Sequence, residues 1–250
     1  MLIKIGHATA DENNKYKGGV AGDSTKLELS SRKWYTPNPN WNVILRPKTF
    51  NIAEKMAKTM EAAIANNKIG YDQSQRDTLY TQAKKAKFDL SKITVACECD
   101  CSALINVCAI AAGVGISYGD GKTAYRTKNM VAPFIATGDF IKLTDSKYLT
   151  SDKYLRRGDI LVSEGKHTAM VLEDGEYESK NPTKPITLET PLSFNPEYTG
   201  QYTVIGDPGL ILREAPASSS LKIGYQLNGT TFTCFGQHTK DWLFGVTEER

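Results

Sequence analysis

Apolar residues recur along this chain at two spacings, helical in its first half and alternating or short-run in its second. Ile52, Met56, Met60, Ala63 and Ile64 fall on one stripe, which predicts a helix that Asn51 can cap with Glu54 three residues on. A second helix is predicted over residues 74–88, with Leu79, Ala83 and Ala86 turned inward and Lys84, Lys85 and Lys87 in water. A third follows Asp100: Leu104, Ile105, Cys108, Ile110, Ala111 and Ala112 form its apolar face, and Gly113 or Gly115 can end it. Residues 127–136 predict a short helix interrupted at Pro133, followed by a strand at Phe140-Ile141-Lys142-Leu143. The first fifty residues read as extended, closing with the strand Asn42-Val43-Ile44-Leu45 stopped by Pro47. Ile160-Leu161-Val162 and the run from His167 to Leu172 predict two strands of a hairpin joined through Glu164-Gly165-Lys166. Helices early and strands late indicate an α+β layer arrangement rather than a doubly wound parallel sheet.

The pattern changes near residue 180. Pro182, Pro185, Pro191 and Pro196 punctuate a polar stretch that reads as a linker over residues 181–200. Five short apolar runs follow, separated by Gly, Pro, Asn and Asp, and their spacing predicts a small all-β, barrel-like unit over residues 201–250. The catalytic portion is expected within residues 1–180, with residues 1–50 as an N-terminal extension.

Chemistry concentrates at two points of that first unit. Asp100 as cap leaves Cys101 in the first helical turn, where unpaired N–H groups and the helix dipole favour a thiolate. Free cysteine is also among the most buried residue types, so the plain alternative is an inert core thiol. His167 opens a strand in which it shares a face with Ala169 and Val171; the other histidines, His7 and His238, lack such a setting. A thiol at a helix start and an imidazole on a later strand are the parts of a nucleophile and its base.

Cys101-Ser102-Ala103-Leu104, Arg157-Gly158-Asp159-Ile160-Leu161-Val162 and His167-Thr168-Ala169-Met170-Val171-Leu172 resemble, in this order, the three signatures of NlpC-type cell-wall peptidases and of the related CHAP amidohydrolases and phage cysteine amidases. The resemblance is most specific over residues 69–178. It implies a papain-like domain, a nucleophile helix packed on an antiparallel sheet, with Cys101 as nucleophile and His167 as base. Tyr71 and Ser102 are the substrate-side residues it points to, Tyr71 because Ile69-Gly70-Tyr71 resembles a tyrosine segment beside the cleft in such enzymes. These families place a polar residue on the strand after the histidine strand to orient the imidazole; the same count lands near Ser179 and Asn181, and Asn181 is taken as the third member. Leu212-Arg213-Glu214-Ala215-Pro216, Ile223-Gly224 and Trp242 resemble a bacterial Src-homology-like wall-binding domain, with the chain ending at Arg250 before the expected closing strand. A Gly-Asp motif at Gly22-Asp23 also resembles phage proteins of this kind.

The implied activity is hydrolysis of an amide bond in or next to the peptidoglycan stem peptide, through a thioester and with no metal or organic cofactor. Two other classes fit the same residues: an inactive wall-binding protein, and a cysteine peptidase acting on proteins. Composition narrows the partners. With 31 basic and 28 acidic residues the net charge is +3, too small to indicate nucleic acid and compatible with an anionic wall. Neither a secretory leader nor a membrane-spanning run is read, so the expected protein is a monomer made in the bacterial cytoplasm that reaches the wall after release, as phage endolysins do. Cys97, Cys99 and Cys101 alternate, which raises a metal cluster; zinc knuckles, however, pair cysteines two to four residues apart with a second pair elsewhere, and none exists here.

Overall fold

The computed structural model describes residues 2–21, 28–118, 123–176, 195–205, 209–213, 216, 220, 222–239 and 242–247. The chain divides into two compact units, Met1–Asn181 and Pro182–Arg250.

The first unit is α+β. Its strands are β1 (Lys4–Ala8), β2 (Leu29–Lys33), β3 (Val43–Pro47), β4 (Ile69–Tyr71), β5 (Cys97–Cys99), β6 (Phe140–Leu143), β7 (Ile160–Ser163) and β8 (His167–Val171). Its helices are α1 (Phe50–Ala65), α2 (Thr78–Lys85), α3 (Cys101–Ala111), α4 (Val131–Ala136) and α5 (Ser146–Leu149). Six strands form one sheet in the order β2-β1-β8-β7-β3-β6, antiparallel at every described pairing. Strands β4 and β5 form a separate parallel pair that delivers the chain to the start of α3.

Period-two alternation assigns the two faces of the sheet. Met170 and Leu172 join Met56, Met60, Leu104 and Ile105 of α1 and α3 in the larger core. Ile3, Ile5, Ala169 and Val171 pack on the other face against Trp34, Trp41, Ile44, Leu155 and Leu161. Each large side chain buried in this way contributes about 1.5–3 kcal/mol relative to exposure. Both tryptophans are therefore packed inside rather than lining an open groove.

The Arg157-Gly158-Asp159 turn is structural. Asp159 is fully buried and accepts from Arg46 Nε and Nη2 at 2.8 and 2.7 Å, tying β3 to the entry of β7; burial pushes its carboxyl up against the opposing pull of Arg46. Arg157 reaches α1, where it holds Glu54 and Glu61. Gly158 adopts φ +90° and lies so close to Ala53 that an added Cβ would meet its Cα at 2.6 Å. Only glycine fits there.

Several expected boundaries move. Thr49, not Asn51, caps α1 by accepting from Ile52 N–H. The second helix starts at Thr78 rather than residue 74 because Asp72 accepts from Ser74 N–H and Gln75 N–H, fixing a turn there. Pro133 is the third residue of α4, within its first turn, where its missing N–H costs nothing, so it does not break the helix.

The second unit contains β9 (Gly200–Thr203), β10 (Gly209–Arg213), β11 (Lys222–Leu227), β12 (Thr231–Thr239) and β13 (Trp242–Thr247). The expected barrel does not close. Strands β10 and β11 form one hairpin, β9, β12 and β13 a three-stranded sheet, and among the described residues no ladder joins them. The register of β12 against β13 shifts twice, at Cys234/Gly236 and at Gln237/Thr239, and such bulges bend a strand away from continued pairing.

Candidate active site

Asp100 builds the first half of the site. Its side chain accepts from Ala103 N–H at 2.7 Å, so α3 begins at Cys101. Arg76, itself buried, grips both Asp100 oxygens, through Nε at 2.6 Å and Nη2 at 3.1 Å. Ser102 completes this network: its hydroxyl donates to Asp100 and accepts from Arg76 Nη2.

The second half is where the β1–β8 ladder ends. Its register runs Ile5↔Val171 and Gly6↔Met170. One further step sets His7 opposite Ala169, diagonal to His167 on the same face. The rings meet there, with His7 Nδ1 3.3 Å from His167 Nε2. Trp41 stacks on His167 at a centroid distance of 6.0 Å, and Tyr35 lies edge-on to both Trp41 and His7.

Helix α3 packs against β8, and the Thr168 and Ser102 N–H groups lie where they favour a thiolate at Cys101. Among the described residues no direct hydrogen bond joins Sγ to either ring. Catalytic contacts often tighten only on substrate binding. Tyr71 is buried beside the thiol and accepts from Gln73 Nε2 at 3.1 Å; burial first, then the neighbouring Cys101, raises its phenol pKa. Tyr71 and Cys101 are therefore electrostatic neighbours, and Thr168, which also acts on the thiol, is the residue after His167. Asn181 and Ser179 lie outside the described residues, as do Gly22 and Asp23.

Electrostatics reverse one expectation. The Cys101 thiol is pushed up to about 12, by burial and then by the Asp100 carboxylate, against the smaller downward effects of the two N–H groups and Arg76. Burial thus outweighs the helix start, and the resting thiol is protonated. His167 is lowered to about 4 by burial and then by Arg32; His7 is lowered to about 3 by burial, His167 and Arg32. Both rings rest neutral.

That state predicts an acid-sensitive fold. In the unfolded chain each histidine titrates near 6.5, so as pH falls the unfolded state takes up protons first. The stability from keeping His167 neutral is whole above about pH 6.5 and is lost as pH falls toward 4, by up to about 3 kcal/mol. Urea unfolding at pH 7 and pH 4 should therefore show a smaller acid loss for His167→Gln than for the wild type. Equal losses would mean that the ring is not held neutral.

His7 is the ring neighbour of His167 that the sequence did not yield. In the sheet β1, from the other end of the chain, lies beside β8. The available signal was Ile3-Lys4-Ile5-Gly6-His7, whose alternation carries a polar ring onto the apolar face of a strand. The alternating cysteines part company: Cys97 and Cys99 are buried on β5 and Cys101 begins α3. Among the described residues no three His, Cys, Asp or Glu side chains assemble a metal site.

Comparison with known proteins follows the same portion of the chain. The family model of the endolysin-like domain (ELLD) matches residues 5–178, which span β1 through β8 and hold Cys101, His167 and His7. No curated protein and no solved structure matches. Among the described residues no helix is long and apolar enough to cross a membrane. A cell-wall lytic role with peptidoglycan as substrate is what this family membership indicates. With about seven-tenths of its length matched, the chain belongs to the endolysin-like domain family.

Proposed function

We propose that the protein is a cysteine-dependent peptidoglycan hydrolase that cleaves an amide bond in or next to the stem peptide. What supports this reading is Cys101 at a capped helix start on a helix packed against β8, within electrostatic reach of Tyr35, together with the His167–His7 ring pair at the open end of the β1–β8 ladder.

The chemistry follows from the tautomers. When His167 Nε2–H donates to His7 Nδ1, the lone pair of His167 Nδ1 is left free to accept the thiol proton. On this reading His7 orients the imidazole. The thiolate attacks the amide carbonyl, and N–H groups at the start of α3 stabilise the oxyanion. His167 then gives its proton to the leaving amine, and water cleaves the thioester to regenerate the thiol. Because thiol and imidazole both rest neutral, proton transfer accompanies substrate attack rather than preceding it.

Mass spectrometry of muropeptides after digestion of purified walls tests the reading. New amine and carboxyl ends on stem peptides are expected, at the muramoyl-L-alanine bond for an amidase or inside the stem for an endopeptidase. Intact stems with cleaved glycan would overturn it.

A further inference from the structure

Arg32 stands on the face of the sheet that carries the two histidines. In the β1–β2 register it lies opposite Ile5, and period two puts it on the side of Ile5 and His7. Arg32, His7 and His167 thus come from three consecutive strands, β2, β1 and β8, on one face. The guanidinium sits 4.2 Å above the Tyr35 ring, whose edge meets His7 and Trp41. A cation held over an aromatic ring is positioned without being neutralised.

Its surroundings differ from those of the other arginines that hold partners. Arg46, Arg76 and Arg157 each grip a carboxylate. The Arg32 side chain is exposed and makes no ion pair or hydrogen bond among the described residues. Its planar fork of donors is therefore free for a ligand at the rim of the site. Its charge also reaches His7 and His167 and disfavours their protonation. A fixed cation beside the base that must accept a proton impedes catalysis unless an anion covers it when substrate is bound.

We infer that Arg32 binds a free carboxylate of the stem peptide next to the scissile amide, and so selects acidic over amidated stems. The inference rests on the hydrolase reading of the same site. Bidentate pairing to a carboxylate is the geometry that guanidinium matches best, and it would hold the peptide against Tyr35 while neutralising the charge that opposes His167.

The test uses the full chain and two soluble muropeptides that differ only in whether that carboxylate is free or amidated. Wild type is expected to favour the acid form in kcat/KM by about tenfold. Arg32→Gln should bring the ratio near one, chiefly by raising KM for the acid form, and Arg32→Lys should restore part of it. Soluble muropeptides carry no teichoic acid, so a preference measured on them cannot come from wall phosphate. Arg32 is exposed, and unchanged thermal melting of both variants checks that they fold. A wild type that cleaves both forms equally, or an Arg32→Gln that keeps the wild-type ratio, overturns the role of Arg32. A wild type that cleaves neither muropeptide and releases no stem ends from walls overturns the hydrolase reading, and this inference with it.

Discussion

Cys101→Ala should lower the rate of wall lysis by at least about a thousandfold, and His167→Ala by about a hundredfold or more, with both variants still folded. The two losses have different origins. Without the thiol no acyl-enzyme forms, and no other described cysteine can substitute: Cys97, Cys99 and Cys108 are buried in the core around β5 and α3, and Cys234 is buried in the second unit. Without His167 the thiol remains, but its proton has no acceptor, and burial already holds it well above neutrality. Cys101→Ser should be nearly as inactive as Cys101→Ala, since a hydroxyl is harder still to deprotonate in a dry site. His7→Gln should cost less, about tenfold to a hundredfold, because an amide can replace the hydrogen bond to His167 without matching its geometry. Turbidity loss of purified walls gives the rates, and thermal melting verifies folding. A folded Cys101→Ala protein that lyses walls within tenfold of wild type would remove Cys101 from the mechanism and leave the cluster as core packing.

The pieces of this site differ in how far the sequence discloses them, and the difference is physical. A helix start is a local event: Asp100 followed by an apolar helical stripe is enough to place Cys101 in the first turn, and α3 begins there. The β7–β8 hairpin is equally local, since Gly165 adopts φ +76° between two short apolar runs. The strand beside β8 is another matter. The partner is β1, and the ring contact it makes joins residues 160 positions apart, a pairing that no local periodicity encodes. The sign of the thiol shift was hidden for a related reason. Helix position is written in the sequence, whereas the burial that overrides it comes from tertiary packing. In the second unit, five strands were legible from spacing alone, but barrel closure depends on register, and the shifts in β12 are not visible as a pattern.

The largest loss of stability is expected from Arg76→Met. This arginine sits at the centre of a buried network: besides Asp100 and Ser102 it donates from Nη1 to Thr123 Oγ1 at 2.8 Å and to the Ala124 carbonyl at 2.9 Å. Methionine fills much of its volume but leaves the Asp100 carboxylate inside the protein with no opposing charge. Breaking one side of such a pair typically costs about 3–5 kcal/mol, mostly the penalty of the stranded ion rather than the worth of the bond. The double variant Arg76→Met with Asp100→Asn should therefore recover part of the loss, since asparagine still caps a helix and carries no charge. Urea unfolding of the wild type, the two single variants and the double variant closes this cycle. The site should respond as well, because Arg76 holds the residue that starts α3, and its charge is one of the influences lowering the Cys101 thiol pKa. Arg76→Met is thus expected to cleave more slowly under conditions where it remains folded, with its alkaline activity limb moved to higher pH. A single variant within about 1 kcal/mol of wild type would show that Asp100 finds another partner, and the network would lose its place as the foundation of the nucleophile helix.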